Sequence, residues 1–202
     1  MPLLLLLAFL APGWQTLFDG RSTAAFLSIT GQPFPAHWTV RDGCLCSVPT
    51  PAGRQDLRTA AEFEAFELEW EWRTPPQGNS GVKYLIERVD DWAHPQGLGR
   101  HARARGLEYQ LGDDAIFPQP ERRAGALYGQ IAPSAAAARP IGEWNQSRIV
   151  LKPSGEAAHW LNGQLVLTHR AQVRSSPISL QHHNTGVCFR NIRIRALPAG
   201  AP

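Results

Sequence analysis

Cysteine is scarce in this chain. Cys44, Cys46 and Cys188 are the only three among 202 residues, too few for the disulfide framework that stands in for a core in small secreted domains. They carry no metal-ligand spacing either, because no second cysteine pair follows. Cys44 and Cys46 would share one side of a strand, with their Cα atoms near the ~7 Å limit for bridging. The three are expected to pack as small apolar residues, with a bridge from Cys188 to one of the pair left open. Charge of one sign is also lacking: 20 basic and 17 acidic residues leave a formal net charge of +3. Only Arg100, Arg103 and Arg105, with His101 among them, cluster locally. They read as a solvated loop rather than a phosphate-binding patch, so nucleic acid is not an expected partner.

A long apolar run is missing as well. Residues 3–11 are unbroken Leu, Ala and Phe, the length of a secretory signal core and far too short to span a bilayer. No transmembrane span is expected. No Lys or Arg precedes the run, and no Ala-x-Ala site follows it. Residues 1–13 are read as an atypical export signal, implying a periplasmic or secreted protein, with a buried N-terminal strand as the alternative. Residues 14–197 then form one domain and 198–202 a short tail.

Helical signals are nearly absent. Residues 134–139 are bracketed by Pro133 and Pro140 and read as loop. What remains punctuates like an all-β protein. Residues 38–41 and 44–48 flank Asp42-Gly43, and 159–161 and 164–169 flank Asn162-Gly163, each a hairpin signature. Along residues 63–73, Phe66, Leu68, Trp70 and Trp72 fall on one face and Glu67, Glu69, Glu71 and Arg73 on the other, which makes a long half-buried strand. Further strands are expected over 82–89, 106–111, 124–128, 147–152 and 187–196. Seventeen prolines and eighteen glycines sit mostly between these runs. Many short strands so joined make a sandwich or jelly roll.

Four polar constellations interrupt this pattern. The first is Glu71 and Arg73 with Gly78-Asn79-Ser80-Gly81-Val82-Lys83. Its glycines permit a tight turn or close approach of a ligand, and Lys83 can project into a cleft. The second is Glu108-Tyr109-Gln110, which places a carboxylate and an amide on one strand face, a combination suited to sugar hydroxyls or acid–base work. In the third, Trp144 and Trp160 offer aromatic faces beside His159, although a sandwich tryptophan is more often core. Asn162 there is explained by its turn. The fourth is the stretch from Leu180, Gln-His-His-Asn-Thr-Gly-Val-Cys-Phe-Arg-Asn-Ile, where His183, Arg190 and Asn191 stand in an apolar strand pattern. An unpaired buried polar group costs about 1–3 kcal/mol, so these must be paired or functional. His183 has an ordinary pKa near neutrality. Neighbouring His182 would point the other way and is expected at the surface.

Taken together, these segments resemble one family. Leu17-Phe-Asp-Gly20, Gly78-Asn-Ser-Gly-Val-Lys-Tyr84, Leu107-Glu-Tyr-Gln110, Gly125-Ala-Leu-Tyr128, Gly142-Glu-Trp-Asn145, His159-Trp-Leu-Asn-Gly163 and Leu180-Gln-x-His183 through Phe189-Arg-Asn-Ile192 look like the 3-keto-disaccharide hydrolases. The match runs from about Leu17 to Arg195. Two positions depart from the family pattern: His182 stands where an aspartate is usual, and Asn184 replaces a glycine. Residues 88–105 resemble an inserted loop. The resemblance implies a concanavalin A-like jelly roll of two antiparallel sheets acting on glycosides whose 3-hydroxyl has been oxidised to a ketone.

Such a ketone acidifies the hydrogen at C2. A base removes it, the C1 glycosidic oxygen departs, and water adds. The site needs a base, a donor or cation for the enolate, and an acid for the leaving group. The resemblance implies His183 or Glu108 as base and Lys83 or Arg190 at the enolate oxygen. Glu71, Arg73, Asn79, Ser80, Gln110, Tyr128, His159 and Asn191 would hold the sugar. No cofactor is implied, and no local spacing supports a divalent metal. Two rival functions are an ordinary glycosidase using Glu71 and Glu108 as a carboxylate pair, and a carbohydrate-binding module without catalysis.

Overall fold

The computed structural model describes residues 13–50, 53–93 and 99–198. The expected signal segment, up to Pro12, lies outside the described residues, as does the tail beyond Pro198. Among the described residues no helix is long and apolar enough to cross a membrane.

The strands are β1 (Gln15–Phe18), β2 (Phe26–Ser28), β3 (Trp38–Arg41), β4 (Cys44–Ser47), β5 (Leu57–Thr59), β6 (Phe66–Arg73), β7 (Asn79–Ala93), β8 (Arg100–Gly112), β9 (Asn145–Leu151), β10 (Glu156–Leu161), β11 (Gln164–Arg170), β12 (Ser179–Leu180) and β13 (Cys188–Ala196). They form the expected sandwich of two sheets. The first runs β11-β10-β9-β6-β13-β4-β3, with β1 also paired to β13; the second runs β2-β5-β12-β7-β8. Both expected hairpins are present. Asp42 and Gly43 have φ of 51° and 71°, and Asn162 and Gly163 have 49° and 82°. Positive φ at both central positions is the hairpin geometry that Asn-Gly and Asp-Gly tolerate best.

The alternation along β6 sets the layers. Phe66, Leu68, Trp70 and Trp72 are buried and meet the second sheet, where Trp70 lies edge-on to Tyr109 at 5.0 Å and Phe66 edge-on to Tyr84 at 6.3 Å. Each large side chain so buried contributes about 1.5–3 kcal/mol. Two of the aromatic polar ends are satisfied within the core: Trp72 Nε1 donates to Ser147 Oγ at 2.8 Å, and Tyr109 Oη donates to the Trp160 carbonyl at 3.0 Å, whereas Trp70 Nε1 is buried without a hydrogen-bond partner. On the solvent face of the first sheet, Glu67 pairs with Arg195 and Arg148, Glu69 with Arg193, and Glu71 with Arg190.

Three expectations need correction. Residues 88–105 are no loop where described: β7 and β8 continue as a two-stranded ribbon, pairing Arg88 with Arg105 through Ala93 with Arg100. Cross-strand ion pairs, Arg105–Asp90 at 2.7 Å and Arg100–Asp91 at 2.8 Å, support it. A ribbon carrying charge along its length leaves no apolar alternation to read. Residues 124–128 form no strand; Gly125, with φ of 86°, turns the chain. The segment instead lies along the β8 edge, with Gly125 N–H donating to Gln110 O and Tyr128 N–H to Glu108 O. Finally, Cys46 and Cys188 are not two free apolar residues. Antiparallel pairing of β4 with β13 sets them opposite each other, 4.1 Å apart at Cα, and they form a disulfide across 142 residues. Cys44 remains a buried thiol. The strands β1, β2, β5 and β12 span two to four residues each, too short for alternation to register.

Candidate active site

Because Tyr84 and Tyr109 face the first sheet, their neighbours Lys83 and Glu108 project from the opposite face of the second. Lys83 and Glu108 are direct cross-strand partners. Lys83 Nζ lies 3.5 Å from Glu108 Oε2 and donates to the Ala104 carbonyl at 3.0 Å. Gln181, just past β12, donates from Nε2 to the same Oε2 at 3.3 Å. Both contacts thus engage one carboxylate oxygen, and Oε1 is turned over Gly81, where a methyl group would lie 2.7 Å from it. Lys83 and Glu108 are 2% and 7% exposed, and burial holds the Lys83 pKa below its ordinary value against the pull of Glu108 and Asp56.

Gly81 therefore has a specific task in β7: its bare Cα leaves room for the Glu108 side chain. Gly81→Ala is expected to keep the fold, since the added methyl would crowd the Glu108 side chain and no backbone, at Oε1, Cγ and Cδ 2.7, 2.9 and 3.0 Å away, yet to displace the carboxylate. Turnover should fall by roughly 10²-fold, as misplacement by about 1 Å can cost. Steady-state kinetics alongside a melting curve checks this.

The loop after β12 brings His183 to the same place. Its Nδ1 lies 3.2 Å from Arg54 Nη1 and 3.5 Å from Asn79 Nδ2. Asn79 Oδ1 in turn accepts from Gln110 Nε2 at 3.0 Å. Burial, then the charges of Arg54, Arg103, Lys83 and His101, push the His183 pKa down to about 3. The imidazole is neutral at ordinary pH. Beneath it Asp56, 2% exposed, accepts from the His182 backbone N–H at 2.8 Å. Burial pushes its pKa up to about 6, opposed by Lys83.

Four buried atoms in this patch make no hydrogen bond within the protein: Asp56 Oδ2, Gln110 Oε1, Gln181 Oε1 and Ser179 Oγ. Ser179 pairs with Lys83 across β12 and β7, so all four surround the Lys83–Glu108 pair. At about 1–3 kcal/mol for each unmet group, the patch is costly to leave unfilled. Three are obligate acceptors and the fourth accepts or donates, a lining suited to a ligand rich in hydroxyl groups.

Other residues expected in the site lie elsewhere. Glu71, Arg190 and Asn191 are on the solvent face of the first sheet, where Arg190 and Asn191 both bond Glu71 at 2.7 Å. Asn191 sits at φ 51° in an irregularity of β13. Arg73 and Arg190 lie over the Trp144 ring at 4.9 and 4.0 Å, and Arg148 over Trp160 at 4.2 Å. Neither tryptophan is core, and neither adjoins Glu108. His159 is wholly buried: its Nδ1 donates to Gly125 O at 3.0 Å and its Nε2 accepts from Tyr84 Oη at 2.8 Å. Ser80 points inward and donates to Gln181 O at 2.7 Å, tethering the loop that carries His183. Tyr128 stands half-buried with Arg122 5.7 Å over its ring. His182, expected at the surface, is 1% exposed and bonds the Val48 carbonyl at 3.0 Å. Among the described residues, no three His, Cys, Asp or Glu side chains gather in a group that could hold a metal ion.

The model of the 3-keto-alpha-glucoside-1,2-lyase-like domain matches residues 13–195. The chain belongs to this family. A 3-keto-disaccharide hydrolase of Bacteroides thetaiotaomicron is 27% identical, over 93% of this chain and 79% of that protein. A candidate glycosyl hydrolase from Parabacteroides distasonis superposes with a TM-score of 0.77 at 23% identity, covering 92% of this chain and 94% of that one. A second from the same organism gives 0.71 at 25% identity, covering 92% and 100%. The sandwich is thus a jelly roll of the glycosyl hydrolase and lectin type, and membership of the lyase-like family makes the chain a carbohydrate-active enzyme.

Within this lyase-like domain, Arg54, Asp56, Arg103 and Gln181 belong to the patch without having been given a site role from the sequence. Arg54 and Asp56 precede a three-residue strand with no motif around them, and Arg103 reads as one of a solvated cluster. Gln181 had a signal: it sits two residues before His183, so a strand through Leu180 turns both toward one side.

Proposed function

We propose that this enzyme cleaves glycosides whose 3-hydroxyl is oxidised to a ketone, removing the C2 hydrogen, expelling the C1 substituent and adding water to the resulting enone. The observation that carries the reading is the buried Lys83–Glu108 pair ringed by unmet hydrogen-bonding atoms, supported by the name of the Bacteroides relative. Glu108 takes the C2 proton through Oε1 while Lys83 and Gln181 hold Oε2. Lys83 supplies the positive field that stabilises an enolate in a site shielded from water. Arg190, across the sandwich with Glu71, has no part in it.

His183 serves as a donor, not the base. A guanidinium has no lone pair, so the Arg54 contact makes Nδ1 an acceptor and leaves the proton on Nε2. A group with a pKa near 3 accepts protons poorly at neutral pH, whereas its N–H can polarise the ketone oxygen. Asn79 and Gln110 orient sugar hydroxyls, and Asp56, Gln181 and Ser179 accept others. A glycosidase pair of Glu71 and Glu108 would need both carboxylates beside one bond; they lie on opposite outer faces of the sandwich. Export fits the same reading, because the Cys46–Cys188 bridge suits an oxidising compartment.

The test is release of p-nitrophenol from a 3-keto-glucoside and from its unoxidised parent. Release from the ketone alone is expected. Release from both would mean an oxocarbenium pathway, and release from neither would leave a binding module.

A further inference from the structure

We infer that Arg54 is a positioning residue, whose guanidinium holds His183 in the single tautomer that presents Nε2–H to the substrate. In its catalytic consequence this rests on the ketone-cleaving function proposed above; the tautomer itself does not. Arg54 precedes β5 and reaches His183 across the fold, 129 positions along the chain, with Nη1 3.2 Å from Nδ1. Five N–H groups and no acceptor leave it one way to make that contact. Asn79 Nδ2 approaches the same nitrogen at 3.5 Å, and its amide orientation is set because Oδ1 accepts from Gln110. Two donors therefore converge on Nδ1 from two elements, and the proton must sit on Nε2.

The charges facing His183 act in the same sense. Arg54 comes from the segment before β5, Lys83 from β7, and Arg103 and His101 from the β8 ribbon; each opposes a second proton on the ring. Asp56 and Glu108 are the acidic groups on the same side of the sheet. A free histidine would mix two tautomers and gain charge near pH 6.5. Here the ring stays a neutral donor, whose Nε2–H can polarise a carbonyl oxygen. No motif marks Arg54, since nothing local ties it to position 183.

The experiment uses the whole protein labelled with ¹⁵N-histidine, His183 being assigned by its loss in His183→Gln. In the parent, Nε2 should carry hydrogen and Nδ1 none from pH 5 to 8. In Arg54→Met, Nδ1 should gain N–H character at pH 8. Arg54→Lys, a cation that can still only donate, should restore the parent tautomer and guards against a folding defect in the methionine variant. On the 3-keto substrate, kcat/KM of Arg54→Met should fall roughly 10²-fold at pH 8, the usual cost of one preorganised donor. The sign of the pH effect is distinctive. Loss of the Arg54 charge raises the proton affinity of His183, and an imidazolium carries Nε2–H in any case, so the deficit shrinks as pH falls. A parent ring protonated at Nδ1, or a deficit constant with pH beside an unchanged tautomer, overturns the inference. If no ketone is cleaved by the parent, the proposed function fails while the ¹⁵N spectra still decide the role of Arg54.

Discussion

Glu108→Gln is expected to lower kcat on a 3-keto-glucoside by roughly 10²- to 10⁴-fold, the range for loss of a general base. The amide keeps the shape of the side chain but cannot take the C2 proton. The replacement also strips Lys83 of its partner, 3.5 Å away and 2% exposed. Breaking a buried ion pair from one side costs about 3–5 kcal/mol, so part of any lost activity could reflect unfolding. A melting curve separates the two, and Gly81→Ala gives an independent check because it moves the carboxylate and retains both charges. A folded Glu108→Gln protein with parental turnover would remove Glu108 from the chemistry. Turnover lost by Glu108→Gln but untouched by Gly81→Ala would place the acting oxygen elsewhere than over Gly81.

Cys188→Ser should have the largest effect on stability. The Cys46–Cys188 bridge closes 142 residues of chain and joins β4 to β13, the second and third strands from the β3 edge of the first sheet. Removing a native disulfide costs about 2–5 kcal/mol, chiefly by freeing the unfolded chain. That is a large share of the 5–15 kcal/mol available to a domain. Equilibrium urea unfolding should show a midpoint lowered accordingly, with Cys46→Ser matching Cys188→Ser. Cys44→Ser, which breaks no bridge, should lie well above both. Equal midpoints for all three would mean that the bridge carries no net stability.

Much of the fold is legible because its signals are local. Asp42-Gly43 and Asn162-Gly163 mark hairpins since so few residues accept positive φ. Alternation along Phe66–Arg73 marks a strand with one face in the core. The β7–β8 ribbon escapes because neither face is buried deeply enough to impose a period, and the shortest strands because two to four residues cannot show one.

For the site, the sequence brought Lys83, Asn79, Glu108, Gln110 and His183 to attention by residue type and motif order, and the all-β class by turn chemistry. Only the tertiary structure decided which of these stand together. Glu71 and Glu108 look alike along the chain, each in an alternating strand, but one alternation faces solvent outside the first sheet and the other faces outward from the second. Which side of a sheet a polar residue meets is set by the register of strands far apart in sequence. The same distance hid Arg54, Asp56 and the Cys46–Cys188 bridge: their partners lie more than a hundred residues away, where neither periodicity nor spacing reaches.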